Sequence, residues 1–331
     1  MHFSVIIPVY NRPEEIVELL ESLTLQSLIS SFEVIIVEDG STVTCKEAIK
    51  HYYDELDLHY YFQENQGPGP ARNYGASKAK SGYLIFFDSD CIIPSNYFNI
   101  VIKELEAQNL DCFGGPDSSH PFFTPIQKAI SYSMTSPITT GGIRGGKKKL
   151  DKFYPRSFNL GITAEQFKEL GGFAPMRFGE DLDFSMRAVE KGLKVGLIND
   201  ALVYHKRRTH FKAFYKQVFN SGIARINLSL KHPGTLKLVH LAPSLFTIAY
   251  PLLVLMAILL SPWIWIVAMI FPLTIIVDAW SRTKNLKVGF LSMLASFVQL
   301  FGYGFGFIQA FWVRIVRGKG SFHSFAQSFY D

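Results

Sequence analysis

Residues 83–92 have the sequence YLIFFDSDCI, an apolar run closed by two aspartates one residue apart. β-Branched and aromatic residues in such a run predict a buried strand. In an open α/β sheet, ligands gather at the carboxyl ends of the strands, and Asp88 and Asp90 fall at that position. A few hard oxygen ligands suit Mg²⁺ or Mn²⁺ shared with substrate phosphates. The tripeptide alone equally allows the plainer interpretation that the aspartates end the strand and cap the next turn.

The apolar residues of the 331-residue chain are concentrated towards its C-terminal end. Segments of about 241–260, 263–280 and 288–313 are almost wholly apolar, and runs of about 18 such residues mark candidate membrane spans. We therefore predict a soluble-looking domain over residues 1–235 and a membrane-associated region over 236–331. The alternative for the tail is the apolar core of a second soluble domain.

Charge and cysteine content limit the function classes further. The net charge is +5, and the basic residues cluster at 147–149 and 206–216. A basic band beside a membrane segment is attracted to anionic lipid, and it could also meet substrate phosphates. No nucleic-acid-binding module is recognisable, so we predict no nucleic-acid partner. Three cysteines without a CxxC pair favour a reducing compartment, and the N-terminus predicts a strand rather than a signal peptide.

Strands and helices alternate over the first 92 residues. The patterns predict strands at 3–9, 32–37, 58–62 and 83–87 and helices at 14–28, 44–54 and 70–80. Such alternation predicts a parallel, doubly wound, Rossmann-like α/β sheet. No GxGxxG follows the first strand, which disfavours a dinucleotide oxidoreductase.

Beyond Asp90 the alternation is looser. Residues 111–162 are loop-rich, and Gly145-Gly146 before three lysines predicts a substrate-facing loop. Other predicted elements are helices at 96–108, 163–170 and 180–191, a strand region at 195–203, and an amphipathic helix at 211–229 lying in the membrane interface.

Several short motifs now occur in one order. They are Pro8-Val9-Tyr10-Asn11-Arg12, Val37-Glu38-Asp39-Gly40-Ser41, Gly67-Pro68-Gly69-Pro70-Ala71-Arg72-Asn73, Asp88-Ser89-Asp90, Gly171-Gly172-Phe173, Gly179-Glu180-Asp181-Leu182-Asp183 and Tyr204-His205. Each is short, but the ordered series resembles the family 2 glycosyltransferases of GT-A fold. The resemblance extends over residues 1 to about 230.

This resemblance implies a metal-assisted use of the Asp-x-Asp motif. A nucleotide-sugar donor leaves as a diphosphate, and a divalent cation, Mn²⁺ or Mg²⁺, stabilises the charge that builds there. By similarity Asp90 is the main metal ligand, and Asp88 contacts the metal or the donor ribose. His205 falls where many members supply a further ligand; otherwise it is a basic residue near the membrane.

The resemblance also implies a nucleotide site at the first two strand ends. It suggests Pro8, Tyr10, Arg12, Glu38 and Asp39, and an acidic side chain there can accept from a uracil or guanine N–H. The donor is thereby a UDP- or GDP-sugar. Glu38 and Asp39 could instead, or in addition, cap the following turn.

Three further residues are expected to line the donor site. Gly67 opens the Gly/Pro loop, and Arg72 could approach the diphosphate or pair with a strand-end carboxylate. Asn159 resembles a substrate-wall position.

The acceptor hydroxyl needs a base as its new bond forms. The family places that base in an acidic pair, here Glu180-Asp181, and we assign it to Asp181 with Glu180 as the alternate. Glu180 could otherwise supply only negative charge to the helix N-terminus. One displacement with one base implies inversion of the anomeric configuration.

One departure from the family pattern bears on processivity. Polysaccharide synthases of the family carry Gln-x-x-Arg-Trp before their membrane segments, whereas this chain has Gln217 followed by Asn220-Ser221. Addition of a single sugar per encounter is therefore expected.

The tail suggests a lipid-linked or glycan acceptor at the cytoplasmic face of an inner membrane. Segments 241–260 and 263–280 form a plausible hairpin with Arg282 and Lys284 inside. Segment 288–313 is ambiguous, because a single crossing would put Arg314 and Arg317 outside; it could be re-entrant or interfacial, or it could violate the rule. The functional alternatives are a nucleotidyltransferase and a catalytically idle membrane subunit that binds nucleotide-sugar.

Overall fold

The computed structural model describes residues 1–27, 31–140 and 153–320. The chain divides into two compact units. Their described parts are residues 1–120 with 153–206, and residues 121–140 with 207–320. The predicted loop at Gly145-Gly146 and the lysines that follow it lie outside the described residues. The assignment of residues 1–235 to one catalytic domain stays a prediction.

The first unit is an α/β unit built on two sheets. Its strands in the described residues are β1 (Phe3–Val9), β2 (Phe32–Asp39), β3 (Asp57–Gln63), β4 (Tyr83–Phe86), β5 (Cys91–Ile92), β6 (Cys112–Gly114), β7 (Asp117–Ser118), β8 (Leu160–Thr163), β9 (Val195–Leu197) and β10 (Val203–His205). The main sheet has the order β3-β2-β1-β4-β8-β6-β9, and a small sheet has the order β5-β10-β7. β1 pairs in parallel with both β2 and β4, so their carboxyl ends meet at one edge.

Some of the helices cover both faces of the main sheet, and the others belong to the second unit. The α-helices of the described chain are α1 (Pro13–Thr24), α2 (Pro68–Lys78), α3 (Tyr97–Gln108), α4 (Pro125–Thr135), α5 (Pro137–Thr140), α6 (Ala164–Glu169), α7 (Glu180–Glu190), α8 (Phe211–Lys231), α9 (Ala242–Leu259), α10 (Ile264–Thr283) and α11 (Leu286–Phe311). α1 and α3 pack on the face that Val5 and Ile7 line, whereas α2, α6 and α7 pack on the face of Ile6. Both faces are covered, and this explains why β1 is buried throughout and mostly apolar rather than alternating between apolar and polar residues.

The prediction of an α/β fold is confirmed, but three details were wrong. The sheet is mixed, because β8 runs antiparallel to both β4 and β6. Residues 44–49 are not α-helical, and only a 3₁₀ turn, Lys50–Asp54, follows them. The region 195–203 holds two short strands that belong to different sheets, β9 and β10.

The second unit is helical. Three helical stretches of the described chain have the length and apolar composition of membrane spans: Leu238–Leu259, Ile264–Thr283 and Leu286–Val316. They coincide with the three predicted segments. α11 continues without a break through the glycines at 302, 304 and 306. The helix predicted over 211–229 is present as α8, whereas its position in the membrane interface stays a prediction. α4 is a helix within the stretch that was predicted to be loop-rich.

Candidate active site

The carboxyl ends of β1, β2 and β4 bring polar side chains to one edge of the main sheet. Asp88 and Asp90 follow β4 in a turn in which the N–H of Cys91 donates to the carbonyl of Asp88 at 3.1 Å. Asp39 is the last residue of β2, and Arg12 follows β1 at the start of α1. The edge predicted from strand order is therefore where these residues lie.

His205 reaches this edge although it is 115 positions from Asp90 in the sequence. β10 pairs antiparallel with β5, and this register places His205 opposite Cys91. The N–H of Lys206 also donates to the carbonyl of Asp90 at 2.9 Å. His205 Nε2 lies 3.0 Å from Asp90 Oδ1 and 3.9 Å from Asp88 Oδ2. The ring of Phe158 stacks on the imidazole at 4.9 Å and limits its rotation.

Two arginines pair with the Asp-x-Asp carboxylates. Arg12 forms an ion pair with Asp90. Arg72 is buried and bridges two acids: its Nη2 lies 2.6 Å from Asp88 Oδ1, and its Nη1 lies 3.1 Å from Glu180 Oε1. Of the two roles considered for Arg72, the structure shows the pairing with strand-end carboxylates. Buried charges of opposite sign are thus balanced within the site.

The acidic pair opens α7. Gly179 precedes it with φ of +85°, a left-handed conformation that a side chain would disfavour. Arg156 Nε lies 2.5 Å from Asp181 Oδ2, and the N–H of Leu182 donates to Asp181 Oδ1 at 2.7 Å. Both acids are buried. The helix start therefore presents two adjacent carboxylates, each held by a different arginine.

The two carboxyl groups have shifted pKa values in opposite directions. Burial, together with the charge of Asp181, raises the pKa of Glu180 to about 7, although Arg72 opposes the shift. Burial would also raise the pKa of Asp181, but the charge and hydrogen bond of Arg156 outweigh it and lower that pKa. At neutral pH Asp181 is consequently ionised, whereas Glu180 is partly protonated.

Asp39 organises the loop before α2. Its Oδ2 accepts from the N–H of Gly67 at 2.8 Å, and its Oδ1 accepts from the N–H of Gln66 at 3.0 Å and from Gln63 Nε2 at 2.6 Å. Gly67 has φ of +96°, which only glycine adopts readily. Glu38 is fully buried, and its carboxylate accepts from the Ser41 hydroxyl and from the N–H of Cys45. The contacts of Glu38 are therefore those of the turn-capping alternative.

Asn159 is buried and does not lie on the surface of the site. Its Oδ1 accepts from the Tyr97 hydroxyl at 2.6 Å, and its Nδ2 donates to the carbonyl of Ala201 at 2.7 Å. With no exposed surface, Asn159 positions neighbouring backbone and does not itself face a ligand. Pro8 lies within β1, and Tyr10 follows that strand at the site edge.

The donor set at Asp90 and His205 fits a divalent cation. Oxygen and nitrogen ligands of one octahedral ion with bonds of about 2.1 Å lie about 3.0 Å apart when adjacent, which agrees with the 3.0 Å between Asp90 Oδ1 and His205 Nε2. Cys91 is close to both, but burial raises the pKa of its thiol, and a protonated thiol is not a metal ligand. Asp90 and His205 are therefore the residues that could hold Mg²⁺ or Mn²⁺, and Asp88 lies beside them, with its Oδ2 3.9 Å from His205 Nε2.

Sequence reasoning did not find Arg156, the partner of Asp181. It lies in a segment without regular secondary structure before a three-residue 3₁₀ turn, Ser157–Asn159. Neither hydrophobic period nor spacing marks such a position. Phe158, which orients His205, was missed for the same reason.

At the carboxyl edge of the α/β sheet, Arg72 thus joins the Asp-x-Asp turn to the acidic pair at the start of α7. A family model, glycosyl transferase family 2, matches residues 4–163, and a second, glycosyl transferase family group 2, matches residues 158–280. An uncharacterized glycosyltransferase of Haemophilus influenzae is 30% identical over 212 residues, which are 62% of this chain and 69% of that protein. This chain belongs to glycosyl transferase family 2.

Other relatives have different lengths. Glycosyltransferase AglE of Haloferax volcanii is 26% identical over 230 residues, 68% of this chain and 73% of AglE. Uncharacterized glycosyltransferases of Rickettsia bellii and Rickettsia felis are 39% and 37% identical over 106 residues, but this match spans only 15% and 17% of those proteins.

Solved structures share the fold at low sequence identity. The mannosyltransferase PcManGT from Pyrobaculum calidifontis, in complex with GDP-Man and Mn²⁺, has a TM-score of 0.64 and 17% identity over 94% of this chain and 87% of PcManGT. TarS of S. aureus, in complex with UDP-GlcNAc, has a TM-score of 0.50 and 19% identity over 93% of this chain and 92% of that chain. These likenesses show the fold.

Proposed function

We propose that this chain transfers a single sugar from a nucleotide-diphosphate-sugar to an acceptor at the cytoplasmic face of a membrane, with a divalent cation and with inversion at the anomeric carbon. One observation carries the proposal. The Asp-x-Asp carboxylates, His205 and the helix-start acids are far apart in sequence, yet ion pairs connect them at one sheet edge.

The donor is proposed to be a UDP- or GDP-sugar. PcManGT and TarS, which share the fold, were solved with GDP-Man and UDP-GlcNAc. The base and ribose would lie at the ends of β1 and β2, near Pro8, Tyr10 and Asp39. Glu38 and Asp39 are both fully buried, with their carboxylate oxygens engaged by the turn and by the loop before α2, so they would shape the nucleotide site and not contact the base directly.

The diphosphate would lie over Asp88 and Asp90. A divalent cation held by these carboxylates and His205 would neutralise the charge that develops on the leaving diphosphate. Arg12 would contribute a second positive group at the same place, because its guanidinium pairs with Asp90 and would lie beside a phosphate bound there. Arg72 is buried between Asp88 and Glu180 and positions both.

Asp181 is proposed to accept the proton of the acceptor hydroxyl. The acceptor oxygen forms a bond to the anomeric carbon, the bond from that carbon to the diphosphate oxygen breaks, and the hydroxyl proton goes to Asp181. Nucleoside diphosphate leaves on the opposite face, so the configuration inverts. Asp181 is suited to this role because the low pKa keeps it ionised, whereas Glu180 is partly protonated at neutral pH. We therefore keep Glu180 as the alternate.

The acceptor is proposed to be lipid-linked, for example a polyprenyl phosphate or a sugar carried on polyprenyl diphosphate. Three long apolar helices would hold the chain at the bilayer, where such an acceptor is found. The basic residues between 206 and 216 would neutralise its phosphate. Equal activity on water-soluble acceptors would contradict this part of the proposal.

The test is transfer by membranes that contain the protein. A panel of UDP- and GDP-sugars is incubated with Mn²⁺ or Mg²⁺ and a lipid extract, and wild type is compared with Asp90→Ala, Asp181→Asn and the exposed control Glu106→Gln. We expect consumption of one donor by wild type and the control, with loss on EDTA treatment and in both site variants. The product's anomeric configuration and the number of sugars added are read by NMR and mass spectrometry.

Two outcomes would refute the proposal. Binding of nucleotide-sugar without turnover of any donor would favour the catalytically idle subunit. Release of pyrophosphate from a nucleoside triphosphate and a sugar phosphate would favour the nucleotidyltransferase, which the family membership makes the weaker alternative.

A further inference from the structure

α11 is the middle layer of the second unit. Gly302 and Gly306 face α8: a Cβ at Gly306 would overlap the carbonyl oxygen of Phe219. Gly304, about 200° further around the helix, faces α9, where a Cβ would overlap the Thr247 hydroxyl. The glycine run therefore lets α11 approach two different helices on two opposite faces.

α8 accompanies α11 in the same direction along the chain. Phe214 and Val218 of α8 share a buried cluster with Ala295 of α11. One to three turns later, Ile223 and Ile226 share a cluster with Phe307 and Ala310. The two helices are thus side by side over about 15 residues of α11, roughly 20 Å at 1.5 Å per residue.

The side-chain contacts of α11 with the α9–α10 hairpin lie at the base of the hairpin, which we define as residues 242–250 and 271–283. In α9 its contacts are with the first turns: Phe246 and Tyr250 pack on Phe297. In α10 they extend from Ile276, against which Gly289 is seated, to Phe271 near the middle of the helix, which packs on Phe297.

The outer half of the hairpin is uncovered. Between residues 251 and 270 only Ala257 and Ala268 are buried. Large apolar side chains such as Leu259 and Trp263 are exposed there. A third span running beside the hairpin would bury part of this half, so α11 crosses the base and does not run alongside.

The polar side chains of α8 also argue against a membrane-crossing α11. If α11 crossed the bilayer, α8 would have to accompany it and would carry Lys216, Asn220 and Arg225 into the hydrocarbon. Charged residues near the centre of a span cost about 2.5–3.5 kcal/mol each even on the lowest scales. An interfacial position leaves the exposed Lys212 in water and still buries the apolar side of α8.

We propose that only α9 and α10 cross the membrane, and that α11 lies in the interface on the side where α9 begins and α10 ends. At 18 and 20 residues, α9 and α10 are about 27 and 30 Å long, matching the hydrocarbon core. The proposal rests on membrane association, not on the sugar transfer itself.

This arrangement resolves the conflict with the positive-inside rule. The basic residues before and at the start of α11, Arg282, Lys284 and Lys287, and those after it, Arg314, Arg317 and Lys319, then face the same side. All six lie where cytoplasmic anionic lipids would attract them.

Labelling of cysteines introduced one at a time into the chain tests the proposal. Exposed Lys212, Lys284 and Lys319 and the hairpin-tip Ser261 are each replaced by cysteine, for example Lys319→Cys. The three native cysteines are buried, so wild type supplies the background. A membrane-impermeant maleimide is applied to intact bacterial cells and, separately, to permeabilised cells.

We expect Ser261→Cys to label in intact cells, and the three lysine positions to label only after permeabilisation. Labelling of Lys319→Cys in intact cells, with Lys284→Cys protected, would show that α11 crosses and would overturn the proposal. Protection of Ser261→Cys in intact cells would overturn the crossing of the hairpin. Neither result depends on glycosyltransferase activity, so a failed transfer assay would leave this test unaffected.

Discussion

Replacing Glu180 by glutamine should change how the stability of the protein depends on pH. The side chain is buried beside Asp181, and its pKa is raised from 4.5 to about 7. The folded state therefore holds the Glu180 proton more tightly than the unfolded state. The stabilisation that this proton provides is complete below pH 4.5 and is lost as the pH rises through 7, because stability falls wherever the folded state binds more protons.

The magnitude follows from the size of the shift. Each pKa unit corresponds to about 1.4 kcal/mol, so the difference from 4.5 to about 7 amounts to at most about 3 kcal/mol. For a chain of this size about 1 kcal/mol moves the midpoint of thermal unfolding by about 2 °C. Between pH 5 and pH 8 about 2.5 kcal/mol of this stabilisation is lost, so wild type should lose up to about 5 °C relative to Glu180→Gln.

The assay is thermal unfolding of detergent-solubilised protein, followed by intrinsic fluorescence without divalent cations or nucleotide. Glu106→Gln removes an exposed carboxylate of α3 and should give a profile parallel to that of wild type. Parallel profiles for Glu180→Gln and wild type would refute the argument, because they would mean that Glu180 is ionised in the folded site throughout this pH range.

Three further predictions concern the ion pairs, the metal and the helix contact. Arg156→Met should destabilise the protein by about 3–5 kcal/mol, because it leaves Asp181 buried without its cation. Adding Asp181→Asn should restore part of the lost stability, measured as the midpoint of thermal unfolding. No recovery in the double variant would contradict the pairing. Mn²⁺ at 100 times its Kd should stabilise wild type by about 2.7 kcal/mol and Asp90→Asn by much less. The measurement is the shift in Tm that Mn²⁺ causes in each protein, and equal shifts would mean that the cation binds elsewhere. Gly306→Ala should lower the unfolding temperature, since overpacking costs about 1–3 kcal/mol, whereas the open position in Gly320→Ala should not; equal midpoints would mean that α8 and α11 can separate freely.

Hydrophobic period and strand order were sufficient to predict most elements of the first unit. β1, β3 and α3 lie within a residue of their predicted bounds, because each has a long, unambiguous pattern with turn residues at its ends. β8 was missed, since four residues with a central glycine carry no measurable period. Its direction is set by pairing with two strands distant in sequence, and this pairing makes the sheet mixed.

The site was predictable where it depends on strand ends and not where it depends on loops. Asp88, Asp90 and Asp39 follow from the rule that ligands gather at carboxyl ends. His205 required the family resemblance, because a three-residue strand in a separate small sheet carries it to the edge. Arg156 could not be found, since its place is set by tertiary contacts alone.

The contact between α8 and α11 also constrains how the chain can be made. α8 is complete at Lys231, but its partner surface around Gly302 and Gly306 is synthesised some 70 residues later. At a synthesis rate of about 5–20 residues per second, α8 lacks the helix that it packs against for about 4–14 s of translation. During that interval Phe214, Val218 and Ile223 are apolar surface on a nascent chain. A stretch of slow codons between residues 231 and 302 should therefore reduce the yield of this protein more than an equal delay elsewhere in the chain.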